Sequence, residues 1–253
     1  MPKLSVVIIT LNEEKNIARC INSVKEVADE VIVMDSFSTD KTQEITESLG
    51  ARFFQNEFVD YVKQHEIADQ KASYDHILSL DADEALSEEL AKSILVVKKY
   101  WKNDGYFMSR MTNYCGKWIK HSAWYPDKKL RLYDRRKGKW VGAKIHERFT
   151  LVQGSTTGHI KGDILHYSFP TISHHVLQAN KFTDLTSLAA FEKGDKSSVG
   201  KLLLAPVFKF IRDYIFKLGI LDGYYGFIIC QISANATFLK YVKLRQLYKK
   251  TKT

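Results

Sequence analysis

The sequence predicts an α/β protein: a mostly parallel central sheet flanked by helices, followed by a helical C-terminal extension. Three observations carry that expectation. Short, β-branched, almost continuously apolar runs such as Leu4 to Thr10 (LSVVIIT) have the composition of strands buried on both faces. Stretches with helical spacing lie between such runs over roughly the first hundred residues, and this alternation implies crossover helices and parallel strands. From about Thr171 onward the spacing is helical throughout, broken only at Gly194 to Ser198 and at Asp222-Gly223.

Each element follows in order. After the first strand, Asn12 with Glu13 and Glu14 is expected to open a helix whose apolar face is Ile17, Cys20, Ile21 and Val24. A strand at Glu30 to Met34 comes next, then the polar turn Asp35-Ser36-Phe37-Ser38-Thr39-Asp40 and a short helix through Ile45 and Leu49. The pattern repeats with a strand at 51–54 (ARFF), a helix through Ala68 and Ala72, and a strand at 76–80 (HILSL). Ser87-Glu88-Glu89 supplies a serine cap and first-turn acids for a helix reaching about Trp101. Gly105 to Phe169 is rich in aromatic, glycine and β-type segments and is expected to form mixed or antiparallel strands that extend the sheet and shape an acceptor groove.

Composition sets bounds on function. A chain of 253 residues with 45% hydrophobic content, 13 Gly and 4 Pro is long enough for one large domain, or for a domain with an appendage. Its three cysteines, Cys20, Cys115 and Cys230, form no CxxC, which argues against a disulfide framework or a zinc knuckle and fits a reducing compartment. The start MPKLSVVIITLNEE lacks signal-peptide features, and no run approaches the ~18 apolar residues of a spanning helix. The expected location is therefore cytoplasmic, soluble or peripheral on the inner face of a membrane. The net charge of +9 is uneven: no acid follows Asp222, while Lys240, Lys243, Arg245, Lys249, Lys250 and Lys252 crowd the tail. Such a distribution suits an anionic partner, whether nucleic acid, an anionic membrane surface or a phosphate-bearing substrate.

Three expected strands end in polar or acidic turns, at Asn12, Asp35 and Asp81. Ligands of open parallel sheets bind outside the carboxyl ends of the strands, so these turns are expected to converge on one site. In LSLDADE (78–84) the carboxylates of Asp81 and Asp83 stand at i and i+2 after a buried strand. Hard oxygen ligands of this kind suit Mg²⁺ or Mn²⁺ held together with substrate phosphates. A bare DxD is usually a solvated turn; the strand-end position is what favours a ligand here. Glu84 is expected to do no more than favour the N-terminus of the coming helix, and Asp40 to cap the helix after its turn. Neither GxGxxG nor GxxxxGK[ST] occurs, so dinucleotide and P-loop phosphate binding are excluded.

SVVIITLNEEKNIARCINSV, EVIVMDSFSTDKT and HILSLDADE, in this order and at these separations, resemble the inverting family 2 glycosyltransferases of GT-A fold. The likeness continues more loosely through WYPDKKLRLYDR, KIHERF, DILHYSF and IFKLGILDGYYG, which are similar to the subgroup that adds sugars to bacterial lipopolysaccharide core. The resemblance implies a GT-A catalytic domain over 1–170, with a nucleotide-sugar-binding half at 1–100 and an acceptor-side half at 101–170. The helical region at 171–253 would then be associated with a membrane or with a second subunit of a homodimer. It further implies that Thr10, Asn12 and Glu14 line the pocket for base and ribose, and that Asp35 contacts the nucleoside. Asp81 would face the donor, Asp83 with Asp81 would hold Mg²⁺ or Mn²⁺, and His166 or His146 would complete the metal site. Lys63 or Gln64 would reach the donor. Arg131 and Arg135 either clamp a phosphate group or are exposed strand charges.

Inverting transfer needs a carboxylate to take the acceptor's proton. The resemblance places it after the middle strands, where Glu147 is the candidate and Asp127 the alternative. The implied partners are a nucleoside-diphosphate sugar, a UDP-sugar first among them, and a glycan or glycolipid acceptor. The basic, aromatic helices after Leu202 either lie in a membrane interface or pack on the catalytic domain or a second subunit. A non-catalytic membrane scaffold that retains the fold is the alternative to an enzyme. Nucleic-acid binding has no recognisable motif to support it.

Overall fold

The residues 1–142 and 147–250 are described by a computed structural model. Its strands are β1 (Leu4–Thr10), β2 (Glu30–Asp35), β3 (Arg52–Gln55), β4 (His76–Asp81), β5 (Glu84–Leu86), β6 (Gly105–Tyr114), β7 (Lys117–Trp118), β8 (Asp127–Asp134), β9 (Gly138–Val141), β10 (Arg148–Leu151) and β11 (Thr157–Phe169). Its α-helices are α1 (Ile17–Val24), α2 (Thr42–Ser48), α3 (Tyr61–Lys71), α4 (Glu88–Lys99), α5 (Ile172–Glu192), α6 (Val199–Ile211) and α7 (Gly223–Lys250). The main sheet has the order β3-β2-β1-β4-β8-β6-β11-β5, with β7 paired to β6, while β9 and β10 form a separate antiparallel pair. β1, β2, β3 and β4 are parallel; β8 and β6 then run antiparallel to their neighbours, and β5 pairs antiparallel with β11.

All seven residues of β1 are buried, because helices cover both faces of the parallel half. Leu4, Val6 and Ile8 point into one layer with Ile17, Cys20 and Ile21 of α1 and Leu90 and Ile94 of α4. Val7 and Ile9 point into the other, with Ala68 of α3 and with Tyr133, Trp140 and Phe149 from the later strands. The period-2 alternation of a strand thus feeds two cores at once.

The expected elements of the first hundred residues are present, with two differences. The first helix begins at Ile17 rather than at Asn12, because Asn12 adopts a left-handed conformation (φ 55°) and its side chain is tied to the next loop. Between β4 and α4 there is also a three-residue strand, β5, which buries Glu84 completely. Glu84 therefore does not start the helix; Ser87 caps α4 by accepting the Leu90 N–H. The partner of β5 is the long strand β11, which approaches closely because Gly162 (φ +93°) lies against Leu90, where a Cβ would fall 2.3 Å from the Leu90 nitrogen.

The chain divides into two compact units, Met1–Met111 with Asp127–Tyr167, and Thr112–Pro126 with Ser168–Thr253. In the second unit, Tyr114, Ile119 and Ile229 form a small core, and the Tyr114 hydroxyl lies 3.0 Å from His175 Nδ1. Burial, with the neighbouring His174 adding to it, pushes the His175 pKa down to about 4, so this histidine is a neutral core group. The break between α6 and α7 is a π-turn (Arg212–Phe216), a left-handed Leu218 (φ 54°) and a 3-10 turn (Gly219–Asp222). α7 packs hard on that turn: a Cβ at Gly226 would lie 1.9 Å from the Gly219 carbonyl oxygen.

Candidate active site

The parallel registers bring the three strand ends together. Thr10 lies beside Asp35, and Ile9 beside Asp81. Beyond them the loops after β1 and β2 are laced to each other. Asn12 Oδ1 accepts from the Thr39 N–H (2.8 Å), and the Asn12 N–H donates to Ser38 Oγ (2.7 Å). The Glu14 N–H donates to Asp40 (3.0 Å), and the Glu14 carboxylate accepts from the Lys41 N–H (3.2 Å). Asp40 also accepts from the Thr42 N–H (3.0 Å) at the head of α2, but it stands one residue before the N-cap, which is Lys41 and not Asp40 as expected. Asp35 is fully buried and accepts from both the N–H and the hydroxyl of Ser38. Leu11 and Phe37 are left exposed beside these loops.

Gln64 is buried in α3 and joins two loops, donating to Ser36 Oγ (3.1 Å) and accepting from Asn56 (3.0 Å). Lys63, one residue earlier, is exposed and pairs with Glu66 at 3.4 Å. Arg135 is bound away from the acidic turn, donating to Asp75 and to the carbonyls of Asp69 and Ala72 at the end of α3. It is neither a phosphate clamp nor a free strand charge; it closes a helix C-terminus.

At the end of β4 the acids diverge. Asp81 accepts from Arg131 (2.9 Å). Asp83 Oδ2 lies 3.2 Å from His166 Nε2, because the β5–β11 pairing sets His166 opposite Glu84 and the Tyr167 N–H donates to the Asp83 carbonyl (2.9 Å). Glu84 accepts from Arg110 (3.1 Å), lies 3.6 Å from Arg131, and also accepts the Asp81 N–H (3.0 Å). It is thus the buried anion around which two arginines and the turn itself are organised. Arg131 is almost fully buried; burial alone would lower its pKa, but the charges of Asp81, Glu84 and Glu147 hold it above the ordinary value. Arg110 follows the same balance, with Glu84 and Asp127 as its anions.

Glu147 directly precedes β10 and is partly exposed. Its charge is felt at Arg131 and at Tyr61, whose pKa is raised by burial and then by Asp81, Glu147 and Asp83. Asp127, by contrast, is held by Arg110 (2.8 Å) and Lys129 (3.2 Å). His146 lies outside the described residues. Sequence reasoning missed Arg110 and Tyr61 and misjudged Glu84; no local pattern links β6 or the start of α3 to the acidic turn, and only the tertiary fold brings them near it.

The residues can be tested for a divalent cation. Asp83 Oδ2 and His166 Nε2 are separated by 3.2 Å, and adjacent ligands on one octahedral ion with ~2.1 Å bonds are roughly 3 Å apart. Carboxylate and imidazole both suit Mn²⁺, and carboxylate suits Mg²⁺. Among the described residues no three His, Cys, Asp or Glu side chains group around one point, so such an ion would take further ligands from bound phosphate and water. That is the usual situation for Mg²⁺ at a phosphate-transfer site.

Beneath the site, Asp69 of α3 accepts from the Tyr133 hydroxyl (2.9 Å) and from Trp140 Nε1 (2.9 Å). Trp140 stacks on His65 at 3.8 Å, and Tyr133 stacks on Phe149 at 3.7 Å. Both β9 and β10 are therefore clamped to α3 and β8, and β10 follows Glu147. Burial pushes the Asp69 carboxyl up to about 7, against the pull of its Trp140 and Tyr133 donors. With a folded pKa above the unfolded one, Asp69 stabilises the protein most at low pH, and that contribution is lost as pH rises through about 7. Unfolding by urea at pH 5 and pH 7.5 is expected to show a loss of ~2–3 kcal/mol from this group, absent in Asp69→Asn. A wild-type and a variant with equal pH dependence would refute the assignment.

The model of the family described as Glycosyl transferase family 2 matches residues 5–152, which span the parallel sheet, the acidic turn and Glu147. The chain belongs to glycosyltransferase family 2. This glycosyltransferase is similar along its whole length to an uncharacterized glycosyltransferase of Rickettsia typhi, with 32% identity over 262 residues, all of this chain and 90% of the relative. It is also similar to the lipopolysaccharide core biosynthesis glycosyltransferase LpsC of Rhizobium meliloti, with 29% identity over 97% of this chain and 94% of the relative. Among solved structures, glucosyl-3-phosphoglycerate synthase from Mycobacterium tuberculosis in complex with Mn²⁺ and UDP-glucose is similar at 22% identity and a TM-score of 0.38, over 44% of each chain. The parallel β3-β2-β1-β4 group with its antiparallel continuation is the GT-A arrangement expected of this glycosyltransferase, and the protein is an enzyme rather than a scaffold.

Proposed function

We propose that this enzyme transfers a hexose, with inversion, from a UDP-sugar to a glycan acceptor of the lipopolysaccharide-core type, in the presence of Mg²⁺ or Mn²⁺. The observation that carries the reading is the Asp83–His166 pair, 3.2 Å apart at the end of β4. The acceptor class rests on the full-length likeness to LpsC. Asp83 and His166 would hold the cation, which when bound offsets the negative charge of the diphosphate.

The chain's own residues divide the remaining work. The laced loops bearing Thr10, Asn12, Glu14 and Asp35 form the floor for the nucleoside, with Gln64 bracing them from α3. Asp81 faces the donor, and Arg131 holds it in place rather than reaching for phosphate itself. The acceptor hydroxyl attacks the anomeric carbon as the bond from that carbon to the diphosphate oxygen breaks. The bonding pair leaves with the nucleoside diphosphate, and the hydroxyl proton passes to Glu147. Asp127 is less suited to that task, because two cations occupy its oxygens.

The test is a panel of nucleotide sugars with Mn²⁺ or Mg²⁺, read by thermal stabilisation and by slow donor hydrolysis. A donor at ~100-fold excess over its Kd is expected to stabilise the wild type by about 2.7 kcal/mol. In Asp83→Ala the metal-dependent part of that stabilisation is expected to disappear. Equal metal-dependent stabilisation in the variant would remove Asp83 from the site.

A further inference from the structure

The segment from α6 through the turn to the start of α7 has the reverse of a water-facing surface. Its outward side chains are large and apolar: Leu204 is 70% exposed, Phe216 73%, Tyr224 67% and Leu221 63%, with Phe208 and Leu218 beside them in sequence. Its acids are turned inward. Asp213 is 2% exposed and paired with Lys209 (2.6 Å) and Arg212 (2.8 Å). Asp222 is 3% exposed and accepts from the N–H groups of Lys120 (3.2 Å) and His121 (2.9 Å), with His121 Nδ1 at 3.0 Å. Exposing so many aromatic and aliphatic side chains is unfavourable in water, whereas the two carboxylates, paired and hydrogen-bonded, are tolerated inside. Such exposure becomes favourable when the outer medium is apolar or interfacial.

The segment is also rigidly built. Val199–Phe216 and Gly219–Lys250 meet at a bend of 71°, and the inside of the bend is too tight for a side chain. A Cβ at Gly219 would lie 2.9 Å from the Asp213 carbonyl oxygen, from Cys230 Sγ and from Ser122 Oγ. The apolar elbow is therefore held outward by packing behind it. No single helix among the described residues is long and apolar enough to cross a membrane; a bent apolar elbow with basic side chains beside it suits entry into one leaflet.

Charge selects the medium. Lys201 and Lys217 are exposed on this segment, while its two acids, Asp213 and Asp222, are buried and partnered, so the outward face carries positive charge. Basic side chains flanking an apolar face are attracted to anionic lipid and can place their charges at headgroup level while their stems stay apolar. We infer that the α6–α7 elbow inserts into an anionic phospholipid bilayer and holds the enzyme on it. This inference does not depend on the donor, the acceptor or the metal proposed above.

The test uses the full chain and co-sedimentation with vesicles of phosphatidylcholine alone and of phosphatidylcholine mixed equally with phosphatidylglycerol. Wild type is expected to partition onto the anionic vesicles roughly tenfold or more over the neutral ones. Phe216→Glu with Leu221→Glu places charges at two exposed positions and is expected to abolish partitioning, with helical circular dichroism unchanged. Lys201→Glu with Lys217→Glu leaves the apolar face intact and is expected to remove the preference for anionic lipid. Wild type that stays in the supernatant, or partitions equally onto both vesicles, overturns the proposal. So does a lipid-free dimer that the Phe216→Glu, Leu221→Glu variant converts to a monomer, since the face would then belong to a second copy of the chain.

Discussion

Glu147→Gln is expected to lower the rate of sugar transfer by ~10²–10⁴-fold, the usual contribution of a positioned general base, while leaving donor affinity unchanged. Glutamine keeps the size of the side chain and removes its ability to take a proton. Glu147 is suited to that role by where its charge acts: it reaches Arg131 and Tyr61, which also feel Asp81. The variant lies just before a strand held by the Tyr133–Phe149 stack, so its effect is expected in turnover and not in unfolding. Donor titration calorimetry and steady-state transfer, or donor hydrolysis with water as acceptor, separate the two quantities. A variant that turns over within about threefold of wild type, against the ~10²-fold minimum expected of a lost base, would eliminate Glu147. The reciprocal change, Asp127→Asn, is expected to disturb the Arg110 pairing more than the chemistry.

The second large effect is on stability. Arg131→Met is expected to cost ~3–5 kcal/mol, because it leaves the buried Glu84 with one cation fewer and deprives Asp81 of its ion-pair partner Arg131. Methionine fills much of the volume without restoring charge. Glu84→Gln in the same chain removes the stranded anion and is expected to return part of the loss, so that the double variant is more stable than the sum of the singles predicts. Urea unfolding midpoints of the four proteins complete the cycle. Strict additivity would show that Arg131 and Glu84 do not share one network.

These two residues differ in how far the sequence announced them. Glu147 lies within a recognisable stretch, KIHERF, in the region where the family resemblance places a carboxylate. Arg131 was visible only as a basic residue in an alternating strand, with exposure and phosphate binding both open. Its burial follows from the antiparallel entry of β8 next to β4, a pairing between segments about fifty residues apart. Glu84 shows the same limit from the other side. In sequence it precedes a serine-capped helix and looks like a first-turn acid; in the fold, three residues of β5 intervene and turn it into the buried anion of the site. Asn12 is a third case, since an Asn followed by two acids is a fair helix start until a left-handed turn and the bonds to Thr39 and Ser38 claim it.

Elements whose physics is local can be read from the order of residues alone. Apolar runs, helical spacing and caps place β1, β2, β4, α1 and α4, and the acids at the end of β4 are legible because a carboxylate after a buried strand has few other uses. Which partners those acids meet is set by long-range packing. His166 stands beside Asp83 and Arg131 beside Asp81 through pairings of β5 with β11 and β8 with β4, and such long-range registers leave no period in the sequence. The basic tail shows both halves of the lesson. Its charge and aromatic content were plain from composition, but whether its apolar side chains face inward or outward depends on a bend of 71° and two buried aspartates, and packing alone sets that direction.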